Sequence, residues 1–298
     1  MSIKNTIFSK GDNWWKPYID YSYHQLGPYV FDEGLHNSKM AEPGYLDNLQ
    51  KAVVLSCDLL EENSLTVETY KKVHAVATEH FNGWITASSS YRGVFRGSKL
   101  VSCFPPASSF GSSKREREMK QEELKNSSHF KTQFEEMDKV VGVRYPLFKS
   151  SEEIHRCVDF LISEFNEKIE GCSEPNEKLK LIANIFQQLE WLHPFLDGQG
   201  RTDLVLLGTL LAKHGFNPAV LKEPYISTWT NLEQWTSQLI EGIERWSASE
   251  DHVKIPECAR NSLNVPEGQK EDSQLNEIEL DNFYDNLDWS DDDDYFDF

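Results

Sequence analysis

Long apolar runs, a basic charge balance and paired cysteines are all missing from this 298-residue sequence. No stretch approaches the roughly 18 consecutive apolar residues of a transmembrane helix, so no membrane span is expected. The first residues, MSIKNTIFSKGDNWWKPYID, lack the apolar core of a Sec signal peptide. The five cysteines (Cys57, Cys103, Cys157, Cys172 and Cys258) are odd in number, widely spaced and form no C-x-x-C pair. That argues against a disulfide framework or a thiolate zinc site and fits reduced thiols in a cytosol-like compartment. Lys and Arg number 30 against 49 Asp and Glu. No broad basic surface follows, so nucleic acid is not an expected partner. No internal repeat is visible.

Hydrophobic residues make up 39% of the chain and aromatics 12%, enough for a sizeable core. The formal charge of −19 is uneven: from Glu267 onward 13 acids face one base, Lys270. The sequence therefore reads as a mildly acidic body with an acidic tail. Residues 1–40 are aromatic-rich, with Trp14, Trp15, Tyr18, Tyr21, Tyr23, Tyr29 and Phe31, and should pack on the core through their rings. Residues 41–250 are the main domain. Residues 251–298 lack periodicity and are expected to be disordered, or to fold only on binding.

Within the main domain, GYLDNLQKAVVLSCDLLEEN has helical periodicity, and Thr66 with Glu68 opens a second helix. SYRGVFRGSKLVSCFPP has glycines between β-prone runs and ends in two prolines. It predicts a small β-hairpin over about 91–106. Residues 107–150 are irregular and include KREREMKQEELK, whose mixed charge suits a solvated helical face. Four helices follow. The first is capped at Ser151 and ends near Gly171. The second covers PNEKLKLIANIFQQLEWLH. The third, RTDLVLLGTLLAKHG, is apolar almost all round and should lie centrally. The last carries Trp235 and reaches Trp246. The predicted fold class is all-α, a helical bundle with one small hairpin.

Between the second and third of these helices lies HPFLDGQGR, His193 to Arg201. A helix N-terminus presents unpaired N–H groups and a positive dipole end, which suit an anion. Glycines let a ligand approach the main chain. A cation in the first helical turn opposes the dipole, so Arg201 there suggests an anion for its fork of donors. Asp197 beside a phosphate calls for a bridging cation such as Mg²⁺. His193 is the natural general base. The plain alternative is a helix–loop–helix turn, with Pro194 as stop, Asp197 as cap and the glycines as bends.

HPFLDGQGRT also resembles the signature of the Fic (filamentation induced by cAMP) family, H-x-F-x-[D/E]-G-N-G-R-x-x-R. His193, Phe195, Asp197, Gly198, Gly200 and Arg201 stand at matching positions. The segment around Tyr91 to Pro106 resembles the target-docking flap of that family, and residues 107–150 look like an insertion. The resemblance spans roughly residues 45–225. It implies a Fic-like helical bundle that moves a phosphate-containing group, usually AMP from ATP, onto a Ser, Thr or Tyr hydroxyl of a protein. His193 would be the catalytic base and Asp197 the Mg²⁺ ligand. Gly198, Gln199, Gly200 and Arg201 would bind the donor. Phe195 would brace the loop. Tyr91, Arg92 and Val94 would belong to the flap that docks the protein substrate by strand addition. The acidic tail would dock a partner. Acid-rich C-terminal ends also resemble the signals of bacterial type IV-secreted effectors, which would place the enzyme in a host cytosol; the other expectation is a cytoplasmic protein.

Two motif positions depart. Gln199 stands for asparagine and Leu204 for the second arginine, which commonly holds the ATP γ-phosphate. Three readings stay open. The donor could be CDP-linked rather than ATP. ATP could be held by Arg92, Arg96 or Lys99. Or the chain could be a non-catalytic adaptor. Glu61, in CDLLEEN, is a loose echo of the inhibitory glutamate of some members, although Leu204 leaves it no arginine to pair with. The remaining histidines, His74 among them, lack metal-ligand spacing and read as surface or satisfied core residues.

Overall fold

The computed structural model describes residues 2–36, 41–79, 91–103, 105–129, 132–137 and 139–248. The chain divides into Met1–Ala248 and Ser249–Phe298, and the expectations for the acidic tail lie outside the described residues. Helices dominate the body: α1 (Ile3–Ile7), α2 (Tyr45–Leu60), α3 (Val67–Ala77), α4 (Lys114–Ser127), α5 (Ser151–Glu170), α6 (Pro175–Leu192), α7 (Gln199–Lys213) and α8 (Leu232–Ala248). Among the described residues none is long and apolar enough to cross a membrane. Three short strands, β1 (Ser102–Cys103), β2 (Gln133–Glu136) and β3 (Val141–Arg144), form one antiparallel sheet in the order β1-β3-β2.

α7 is the hub. Every residue from Thr202 to Ala212 is buried, and the helix packs on α1, α2, α3 and α6. Its all-round apolar sequence is what such a position requires. The N-terminal segment joins this core through Ile3, Ile7, Trp15, Tyr18, Ile19 and Val30. Burying each such large apolar side chain contributes about 1.5–3 kcal/mol, so the aromatic segment is part of the bundle. Caps follow local chemistry. Thr66 accepts the Thr69 N–H and starts α3, and Ser113 with Glu116 forms a capping box for α4. At α5 the cap is Ser150, one residue before the expected Ser151, whose hydroxyl instead donates to the Phe95 carbonyl at 3.0 Å.

The strands fall elsewhere than the spacing predicts. Residues 91–101 hold no strand, and β1 pairs with β3, Ser102 opposite Arg144 and Cys103 opposite Val143. The hairpin is β2–β3, inside the expected insertion. Gly93 and Gly97 take left-handed conformations that interrupt a ladder, whereas the valines of VVGVR suit one. A second apolar cluster, with Phe110, Leu124, Phe134, Val141, Val143 and Tyr145, lies around this sheet and includes Trp191 of α6. The Trp191 indole N–H donates to the Thr228 carbonyl at 3.0 Å. Trp191, two residues before His193, thus packs in the cluster around the sheet.

Candidate functional site

α6 ends at His193, which caps it with φ 45° and ψ 63°. It is the one non-glycine residue with positive φ among the described residues. This backbone costs about 1–2 kcal/mol and needs outside support, which Arg96 supplies. The buried Arg96 side chain donates to the carbonyls of His193 (2.7 Å), Lys99 (2.6 Å) and Pro146, and its backbone N–H donates to Pro194 at 2.9 Å. Those bonds occupy its donors on main-chain oxygens. Arg96 is a clamp between the flap segment and the loop, and it is not available to hold ATP.

The His193 ring stacks on Tyr145, centroids 4.1 Å apart and 16° from parallel. Its Nδ1 is sealed from solvent without a well-formed hydrogen bond. Burial, and next the Arg96 charge, push its pKa down to about 3, against a smaller pull from the Glu190 carbonyl. Arg96 stays cationic, since burial lowers its own pKa only to about 10. His193 is therefore a neutral imidazole at working pH.

His74 of α3 holds the loop from below. It stacks on Phe195 at 3.7 Å and 14°. The Gly93 N–H donates to its Nδ1 at 2.9 Å, so the ring proton sits on Nε2 and donates to the Asp197 carbonyl at 2.9 Å. Burial keeps it neutral by lowering its pKa to about 4. Phe195 also packs on Tyr70 and Phe95.

Gly198 caps the start of α7, and its φ of 71° and surroundings demand glycine. A Cβ there would lie 2.3 Å from Thr78 Cγ2. At Gly200 a Cβ would come within 2.8 Å of the Tyr225 ring, which lies over the first turn. The Gly198 N–H donates to Asp197 Oδ1 at 2.7 Å, so that amide is already committed to the loop. Asp197 and Gly200 are half-buried.

Arg201 does not project as an unpaired cation. Its guanidinium pairs with Glu42 at 2.8 Å and lies over the Tyr45 ring at 4.6 Å. Both partners raise its pKa against the effect of burial. Glu42 and Tyr45 precede and open α2, and they meet the start of α7. At the other end Lys213 donates to the Leu60 and Asn63 carbonyls, so α2 and α7 run parallel. Glu61 sits at that far end, accepting the Ile3 N–H at 3.1 Å. With α7 rising about 1.5 Å per residue, Glu61 lies roughly the length of that helix from the loop.

Gln199 is 2% exposed, and its amide points inward to Tyr70 and Asp203. In the flap segment, Lys99 donates to the Tyr91 hydroxyl at 2.9 Å and lies over its ring. Arg92 is half-buried with a sealed Nε, and Val94 is exposed. The residues that sequence reasoning missed are Glu42, His74, Arg96 as a clamp, and Tyr145. His74 carried a signal, since it shares the buried face of α3 with Tyr70, Val73 and Ala77.

The sequence model of the Fic/DOC family matches residues 64–211, from the entry to α3 almost to the end of α7. Through this segment the chain belongs to the Fic/DOC family. Phosphocholine transferase AnkX of Legionella pneumophila subsp. pneumophila is 30% identical over 111 residues. The match takes in 37% of this chain and 10% of AnkX, so the chain spans a small part of that relative's length. The Fic/DOC segment contains the whole loop together with His74, Arg96 and Tyr145. Glu42, which holds Arg201, lies outside it.

Proposed function

We propose that the His193–Arg201 loop transfers a phosphate-containing group from a nucleotide diphosphate donor onto a protein hydroxyl. The observation that carries this reading is His193 itself. It is neutral, held in a strained cap by Arg96 and Tyr145, and placed just ahead of a helix N-terminus suited to an anion. In the reaction the target hydroxyl oxygen attacks phosphorus and its proton passes to the imidazole. The bond to the leaving phosphate breaks, and the leaving group departs with its electron pair. Arg201 and the first-turn amides of α7 hold the phosphate oxygens. A donor's negative charge beside His193 raises the imidazole's basicity from its low resting value.

Among the described residues no group of three or more His, Cys, Asp or Glu is assembled. One carboxylate, Asp197, remains as a protein ligand. That suits Mg²⁺, which takes most of its ligands from water and substrate phosphates. Held at Asp197, the ion would neutralise charge on the transferring phosphate.

For the cargo, we favour phosphocholine from a CDP-linked donor. Leu204 is 7% exposed within the core and offers no γ-phosphate clamp, and the AnkX relative is named a phosphocholine transferase. AMP from ATP is the second reading, supported by the matching His193, Asp197, Gly198, Gly200 and Arg201. The target docks at the flap. β1 is an edge strand of the described sheet, which suits strand addition, and Val94 and Leu100 are exposed apolar side chains of the same segment. Calorimetric titration with CDP-choline and with ATP, with and without Mg²⁺, tests the donor. Binding of CDP-choline that Asp197→Ala and Arg201→Ala both weaken supports the favoured reading. Tight ATP binding alone moves the cargo to AMP, and no binding of either donor removes the transferase reading.

A further inference from the structure

Beneath the loop lies a polar cluster that the proposed chemistry does not use: Tyr70 of α3, Glu190 of α6, and Gln199 and Asp203 of α7. All four are buried. Tyr70 donates its hydroxyl to Asp203 Oδ1 at 2.5 Å. Gln199 Nε2 donates to Asp203 Oδ2 at 2.5 Å and to the Tyr70 oxygen at 2.5 Å. Gln199 Oε1 accepts the Phe195 N–H at 3.3 Å. Every polar atom of the Gln199 amide is thus engaged, and its orientation is fixed because the Phe195 amide can only donate.

Asp203 accepts on both oxygens, as an ionised carboxylate does. Glu190 bonds to Asp203 as well, and its Oε1 is sealed without a partner. Neither carboxyl has a cation partner among the described residues. Two adjacent buried carboxylates without a cation cannot both be charged. Burial and then the Asp203 charge raise the Glu190 pKa well above the ordinary range, and burial lifts Asp203 to about 7. Against burial, the hydrogen bonds from Tyr70, Gln199 and Glu190 lower the Asp203 value, so they favour the ionised form on Asp203 and leave the proton to Glu190.

We propose that Glu190 and Asp203 hold one proton between them and, with Tyr70 and Gln199, act as positioning residues that fix the Phe195 backbone and so the loop carrying His193 and Asp197. This explains glutamine at position 199. An asparagine side chain is one methylene shorter and cannot bond Tyr70, Asp203 and the Phe195 N–H together. The residue has exchanged a place facing the ligand for support of the loop. The proton sharing stands on the structure alone; the link to catalysis rests on the transferase reading.

Two measurements test this without a donor. Infrared difference spectroscopy of the full chain at neutral pH, wild type against Glu190→Gln, should show a neutral-carboxyl C=O stretch lost in the variant. Glu190→Gln keeps a donor to Asp203 and should fold normally. Amide exchange at Phe195 should stay slow in Glu190→Gln and become about fivefold to tenfold faster in Gln199→Asn, the loss of one hydrogen bond. The absence of a neutral-carboxyl signal overturns the shared proton, and unchanged Phe195 exchange in Gln199→Asn overturns the positioning role. If both results hold while no donor is used, the transferase reading fails and the clasp stands.

Discussion

Tyr145 lies flat against the His193 imidazole, 4.1 Å away, and bonds through its hydroxyl to the Cys103 thiol at 3.2 Å. The ring seals one face of the candidate base and contributes to the burial that keeps it neutral. Tyr145→Phe should leave the His193 titration close to wild type, because the stack survives. Tyr145→Leu should move the His193 pKa from about 3 toward its ordinary 6.5, read from ring-proton NMR shifts against pH. An unmoved titration in Tyr145→Leu would give the burial to other neighbours.

Glu42 occupies the arginine that a phosphate would need. A donor must displace this carboxylate or share the guanidinium with it. Glu42→Ala should bind nucleotide donors several-fold more tightly in calorimetric titration. It should also lose about 1–3 kcal/mol of stability, between the ranges for surface and buried pairs. Weaker binding in Glu42→Ala would mean that the glutamate orients Arg201 for the donor.

Stability should depend on pH with two opposed signs. His193, His74 and His214 have folded pKa values lowered to about 3, 4 and 4 from 6.5. The unfolded chain takes up protons below 6.5 that the folded chain refuses, so their contribution is full above 6.5 and lost as pH falls toward 4. Glu190 and Asp203 act in reverse. Their raised folded values make their contribution full below about 4 and lost as pH rises, through about 7 for Asp203 and through the still raised Glu190 value. Urea unfolding across this window should show Glu190→Gln gaining stability relative to wild type as pH rises from 4.5 to 7.

Gly198 meets two separate penalties, a left-handed backbone and the Thr78 methyl. Gly198→Ala should destabilise by about 1–2 kcal/mol from the backbone plus the clash. Thr78→Ser removes the clashing methyl and keeps the hydroxyl that bonds the His74 carbonyl at 2.7 Å. The double variant should therefore recover part of the loss in thermal unfolding. Full recovery would show that φ carries no cost there, and no recovery would show that the methyl does not.

The helix–loop–helix was legible because its signals are local. Periodic apolar residues, Pro194, and glycines at 198 and 200 define two helices and the turn between them, and the apolar circumference of α7 implies a central position. The family motif then pointed to His193, Asp197 and Arg201. What was not legible depends on distant partners. β1 pairs with a strand about forty residues later, so the flap sequence alone suggested a self-contained hairpin. Glu42 reaches Arg201 across 159 residues. Gln199 reads as a conservative change of a ligand-facing amide until its neighbours Tyr70 and Asp203 show which way it points. Arg96 looked like a spare cation because nothing local indicates that its donors end on backbone carbonyls.

The central claim is that His193 accepts the proton of a target hydroxyl during transfer of a phosphate-containing group. Intact-mass spectrometry of candidate target proteins, this chain included, after incubation with CDP-choline or ATP and Mg²⁺ tests it most directly. The account predicts a discrete mass increase of one phosphocholine or one AMP with wild-type protein and none with His193→Ala. An unchanged mass with every donor, or the same increase with His193→Ala, would contradict it.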